Sequence, residues 1–254
     1  MSRVSRGQLL FRILFACVFV CCVYGIGAVL GGGKPPLNPV HFGFAMAGIL
    51  VLALFTWILA ALLVKSCHVV IQPNEQLVFH LVTFLGVAVL WLREPVIPFL
   101  FLALLCIALA VTVYTDYKTF FIFRICTLYL VPIGFLASAL GFLPIGLFES
   151  LLGAGLGYGV LMFIKYVHVW LTGHEGLGAG DAELLAVIGA FMGPLVCWEA
   201  LILGSFLGSL VGVSLLLMGK ATRQHPLPLG ACIALAAFVL VVTGWSPLAS
   251  FLLV

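Results

Sequence analysis

The chain has 254 residues, of which 65% are apolar and only 7% are Asp, Glu, Lys or Arg, with a formal net charge of +3. A soluble domain carries roughly 25% charged residues, so a protein with water on all sides is excluded, and so small a positive balance gives no footing for nucleic acid. The eight cysteines form no Cys-x-x-Cys pair, which removes the thiolate zinc sites.

The apolar residues come in runs near the ~20 needed to cross hydrocarbon as a helix. Lipid offers backbone N–H and C=O groups no partner, so such runs must be helical. In chain order the predicted segments lie near 9–31, 43–64, 77–92, 96–115, 125–144, 146–171, 182–195, 197–218 and 228–253. The third and seventh are short, so the expectation is an all-α polytopic integral membrane bundle of about eight to nine transmembrane helices in contact with the lipid bilayer. Turn residues mark the breaks, as in Gly31-Gly32-Gly33-Lys34-Pro35-Pro36, Arg93-Glu94-Pro95 and His225-Pro226-Leu227-Pro228. With the N-terminus in the cytoplasm, every Lys and Arg except Lys34 and Arg93 falls at or near a cytoplasmic helix end, as the positive-inside rule requires. Arg3 and Arg6 before an apolar stretch could open a signal peptide, but the stretch is long for one and lacks a clean small-x-small site, so an uncleaved first helix is expected.

Acidic residues are scarce, and only two are Asp. Glu75, Glu94 and Glu149 fall in or beside predicted loops, and Glu199 reads as a helix-start acid favoured by the dipole. Asp116 ends the fourth segment, in Thr115-Asp116-Tyr117-Lys118-Thr119, and Asp181 opens the seventh, in Gly176-Leu177-Gly178-Ala179-Gly180-Asp181. Each has an ordinary reading: Asp116 as a boundary charge beside Lys118, and Asp181 as an N-cap. Ionisable groups near the membrane tend to face the bundle interior, and both lie on the same side of this topology. Two carboxylates from different helices at one depth have the geometry of an aspartic protease pair. Gly178 and Gly180 leave room for a substrate backbone beside Asp181.

Other patterns are packing features. Gly153-Ala154-Gly155-Leu156-Gly157-Tyr158-Gly159 lies in an apolar run with no preceding strand, and Gly204, Gly208 and Gly212 recur every fourth residue; both read as close helix contacts. His174-Glu175 lacks the second His of a zinc protease motif.

Gly178-Ala179-Gly180-Asp181 resembles the GxGD signature of membrane aspartyl proteases, and the run from Gly176 to Ala190 resembles the second catalytic motif of type IV prepilin peptidases. Thr115-Asp116-Tyr117-Lys118-Thr119 resembles the family's first motif, and Pro226-Leu227-Pro228-Leu229-Gly230-Ala231 the proline-glycine motif that opens its last helix. The resemblance implies N-terminal transmembrane helices over 1–76 and a catalytic membrane domain over 77–254. It implies catalytic Asp116 and Asp181, with Gly178, Gly180 and Lys118 as substrate-binding candidates, no metal and no cofactor. It implies an aspartic-type endopeptidase of the cytoplasmic (inner) membrane that removes the leader of type IV prepilins or type II secretion pseudopilins on the cytoplasmic side. The sequence departs from the family at Ile122-Phe123, where Ile-Pro is usual, and at Glu183, where Lys is usual; it also lacks the loop with two Cys-x-x-Cys pairs linked to N-methylation. These departures keep a second reading open, a catalytically silent membrane scaffold or transporter with the same fold. Helix dipoles assign the ionised base to Asp181, at a helix start, and the protonated acid to Asp116, at a helix end.

Overall fold

A computed structural model of the chain describes residues 82–83, 85–87, 89–90, 94–174, 178–218, 228–244 and 246. The first two predicted segments, the N-terminal unit over 1–76 and the orientation of the N-terminus lie outside these residues. The main elements are α1 (Val96–Thr119), a single 3-10 turn (Leu128–Leu130), α2 (Val131–Ala139), α3 (Leu147–Thr172), α4 (Ala179–Leu217) and α5 (Leu229–Thr243). Among the described residues there is no strand. Three helices, α1, α3 and α4, are long and apolar enough to cross a membrane.

α1 begins after Pro95 and has 24 residues, about 36 Å at 1.5 Å per residue. Its threonines return their hydroxyls to the helix's own carbonyls, Thr112 to Ala108 at 2.9 Å, Thr115 to Thr112 at 3.2 Å and Thr119 to Thr115 at 2.8 Å, so none needs an outside partner. The helix runs past the predicted end at 115. It stops at Phe120, which takes the left-handed conformation (φ 53°) while its N–H donates to the Asp116 carbonyl at 2.9 Å. α3 begins at Gly146, whose N–H donates to the Glu149 carboxylate at 3.1 Å, so Glu149 caps a helix rather than lying free in a loop.

α4 is the element that builds the interior. Its 39 residues include Gly193 at φ 81°, ψ 177°, followed by Pro194. The Cys197 thiol lies 3.4 Å from the Leu185 carbonyl, although residues twelve apart on a straight helix are separated by about 18 Å. The chain therefore doubles back at Gly193, giving two antiparallel arms, 179–192 and 194–217. These correspond to the seventh and eighth predicted segments. Glu199 is not at a helix start: it lies beyond the first turn of the second arm, 1% exposed, and accepts a hydrogen bond from the Ser246 hydroxyl at 2.7 Å.

The fifth predicted segment, 125–144, is not one spanning helix. Its helical part is the 3-10 turn and the nine-residue α2. Residues 120–127 before it have no regular helix, because Phe120 has turned the chain and the apolar composition alone does not restart one.

Glycines set the packing. Gly153 of α3 meets the Gly189 backbone of α4, and a Cβ on Gly157 would lie 2.7 Å from the Leu185 carbonyl oxygen and 2.8 Å from Cys197 Sγ. A Cβ on Gly204 would lie 2.6 Å from Ile233 Cα of α5, whereas one on Gly208 would find Leu229 at an ordinary 3.5 Å. Gly153 and Gly157 are thus helix contacts while Gly155 and Gly159 face open space, and Gly204 is the tight position of the second series. α1 and α4 scarcely touch; α5 lies between them and packs on both.

Candidate active site

Gly178 is the N-cap of α4, so Asp181 is the third residue of the helix and not its cap. Asp116 stands one turn before the end of α1. Their helices make little direct contact, and what brings the carboxylates together is the start of α5. A Cβ built on Gly230 would lie 2.7 Å from Asp181 Oδ1 and 3.1 Å from Asp116 Oδ2. Both oxygens thus converge on one point that only a glycine leaves empty. The next residue fixes one of them: the Ala231 N–H donates to Asp116 Oδ2 at 2.6 Å. Ala231 is in the first turn of α5, where N–H groups have no partner within the helix, and the N-cap Pro228 supplies none from a side chain. Asp116 therefore serves α5 as a cap from another helix. It is buried, at 6% exposure, while Asp181 is half-buried.

This arrangement corrects the dipole assignment. The sequence places Asp116 only at the negative end of its own helix, but the positive end of α5 faces the same carboxylate. The dipoles therefore do not separate the two aspartates into one acid and one base.

The glycines before Asp181 differ in what they face. A Cβ on Gly178 would lie 3.5 Å from Asp181 Oδ2, while one on Gly180 would lie 3.1 Å from Ile122 Cβ. The Cδ1 atom of Ile122 also lies 2.6 Å from the Gly230 position. Ile122 therefore packs beside the carboxylates, between two glycines from different helices. Lys118 is on the exposed end of α1, its ammonium 5.9 Å from the Tyr117 ring centroid. Glu183, at 7% exposure, is held by Arg124 Nε at 3.3 Å and by the Thr127 hydroxyl at 3.2 Å.

Sequence reasoning singled out both aspartates and their glycines. It quoted Gly230 and Ala231 within a motif but gave them no role, and it saw Glu183 without its partner Arg124. The motif at the start of the last helix was the available signal.

Apolar spanning helices that bring two carboxylates to one buried point place the chain among membrane aspartic-type peptidases in outline. The type IV leader peptidase family matches residues 102–217, a stretch that includes Asp116 and Asp181. The chain is 29% identical over 226 residues to the prepilin leader peptidase/N-methyltransferase of Aeromonas hydrophila, covering 84% of this chain and 76% of that relative. It is 30% identical over 196 residues to the protein of the same description from Aeromonas salmonicida, covering 75% of this chain and 65% of the relative. It is 40% identical over 108 residues to the leader peptidase HopD of Salmonella typhimurium, covering 41% of this chain and 65% of the relative. No solved structure matches the chain. These matches relate the chain to the type IV prepilin peptidases and support an aspartic-type peptidase of the membrane.

Proposed function

We propose that this chain is an endopeptidase that removes the N-terminal leader of type IV prepilins or type II secretion pseudopilins at the cytoplasmic side of the inner membrane, with Asp116 and Asp181 as its catalytic pair. The observation that carries the reading is the convergence of both carboxylates on Gly230. A water between them would lose a proton to the ionised carboxylate as its oxygen attacks the scissile carbonyl. The protonated partner would donate to the carbonyl oxygen, and a proton would then pass to the departing nitrogen as the C–N bond breaks. Two carboxylates this close cannot both ionise cheaply, which is what allows one acid and one base.

The depth of the site supports a substrate met near the membrane face. The arm 179–192 is about 21 Å long at 1.5 Å per residue, less than the ~30 Å hydrocarbon core, so Asp181 would sit beneath one face. Gly178 would admit the leader backbone there, Gly180 would make room for Ile122 beside it, and Lys118 would stand at the exposed rim. The sequence has no Cys-x-x-Cys pair, so the proposal is confined to cleavage and does not extend to the N-methyl transfer in the relatives' names. A chelator should leave the reaction unchanged.

The test is co-expression with a prepilin, reading leader loss as a mobility shift. The wild type should cleave, and Asp116→Asn and Asp181→Asn should each leave the prepilin intact while remaining in the membrane. Cleavage by either variant would end the paired-aspartate reading. An intact prepilin beside the wild type would favour the silent scaffold.

A further inference from the structure

Glu183 follows Asp181 by two residues and is buried, and a buried carboxylate needs partners. Both of its partners come from the irregular segment between α1 and α2. Arg124 Nε lies 3.3 Å from Oε1, and the Thr127 hydroxyl donates to Oε2 at 3.2 Å. Arg124 is largely exposed, so its ion pair contributes little to stability alone. Its consequence is geometric. The segment starts at the left-handed Phe120 and has no helix of its own to hold it in place. It carries Ile122 against Gly180 and Gly230, and the Gly230 position is the one on which both aspartates converge. Non-helical backbone at membrane depth is tolerated only when protein or a wet cavity surrounds it, so this segment needs an anchor. Glu183 is one, on the same helix as Asp181.

We propose that Glu183 is a positioning residue: through Arg124 and Thr127 it seats the segment 120–127 so that Ile122 borders the aspartate pair. A Lys at 183 would repel Arg124, so the sign at 183 and the sign at 124 are matched to each other in this chain. The proposal rests on the catalytic reading of Asp116 and Asp181.

The experiment compares Glu183→Lys, Arg124→Glu and the double variant carrying both. Each single change sets like charges together at a partly buried pair, which is strongly unfavourable, and should lower kcat for prepilin cleavage by about tenfold or more per molecule of purified, folded enzyme, with a smaller change in KM. The double variant should return to within about threefold of wild type. Cys126, 1% exposed within the same segment, gives a readout that does not depend on catalysis. Alkylation at Cys126, located by mass spectrometry, should be slow in the wild type and the double variant and fast in both singles. Singles that cleave at the wild-type kcat, a double variant no better than the singles, or a rate loss that only follows loss of folded protein would each overturn the proposal. If the wild type itself leaves prepilin intact, the catalytic reading fails, and the Cys126 pattern alone decides whether Glu183 seats the segment.

Discussion

Asp116 has a structural duty beside the catalytic one proposed for it, because its carboxylate is the acceptor for the buried Ala231 N–H. The two duties separate by substitution. Asn keeps an acceptor oxygen in the same place, so Asp116→Asn should lose cleavage while keeping wild-type unfolding behaviour in detergent. Ala removes the acceptor and strands a buried donor, so Asp116→Ala should lose cleavage and about 1–3 kcal/mol of stability. Asp181 is half-buried, and Asp181→Ala should be inactive but close to normal in stability. Gly230 is the complementary case. A methyl there would crowd both carboxylates and Ile122, and a misplacement of about 1 Å can cost 10²-fold in rate. Gly230→Ala should lower kcat by about that factor. Gly208→Ala, where the nearest neighbour is at 3.5 Å, should cleave normally. Gly180→Val should lie nearer to Gly230→Ala than to Gly208→Val, since its side chain would press on Ile122. The aspartates were legible in the sequence because charged residues are rare in it. Gly230 was visible only as part of the proline-glycine motif; its role was not legible, since Asp116 and Asp181 reach it from other helices, more than forty residues away in the chain.

Two backbone positions decide how the helices join. Gly193 has φ 81° and ψ 177°, a region populated essentially by glycine alone, where another residue costs about 1–3 kcal/mol. Gly193→Ala should therefore lower the unfolding midpoint. Gly193 and Pro194 fell inside the predicted seventh segment, whose boundary with the eighth was placed at 196, and the sequence gave no sign that the arms press together through Cys197 and Leu185. Phe120, at φ 53°, is the second position. Phe120→Gly fits that conformation at no steric cost and should retain cleavage. Phe120→Pro cannot adopt it and removes the N–H that bonds the Asp116 carbonyl, so it should abolish cleavage. An aromatic residue in an apolar stretch has no sequence mark of this kind. The same blindness produced the predicted span at 125–144, because apolar composition is alike for a spanning helix and for an irregular segment lying against one.

At the scale of the molecule, the helical membrane class followed from composition and the family resemblance from three short motifs. What the sequence did not reveal was the order of contact: α1 and α4 meet mainly through α5. That arrangement has a consequence for how the protein is made. A ribosome delivers Asp116 first and Asp181 much later, and both can already be in the membrane before the helix that joins them has been synthesised. The donor to Asp116 comes 115 residues after it. Until that helix arrives, the two acids lack the surface that gathers them, so on the proposed mechanism a half-made chain is inactive. A chain stopped just before Leu229 should insert but leave prepilin intact, and supplying residues 228–254 as a separate peptide should restore some cleavage. Cleavage by the stopped chain alone would show that the acids find each other without α5.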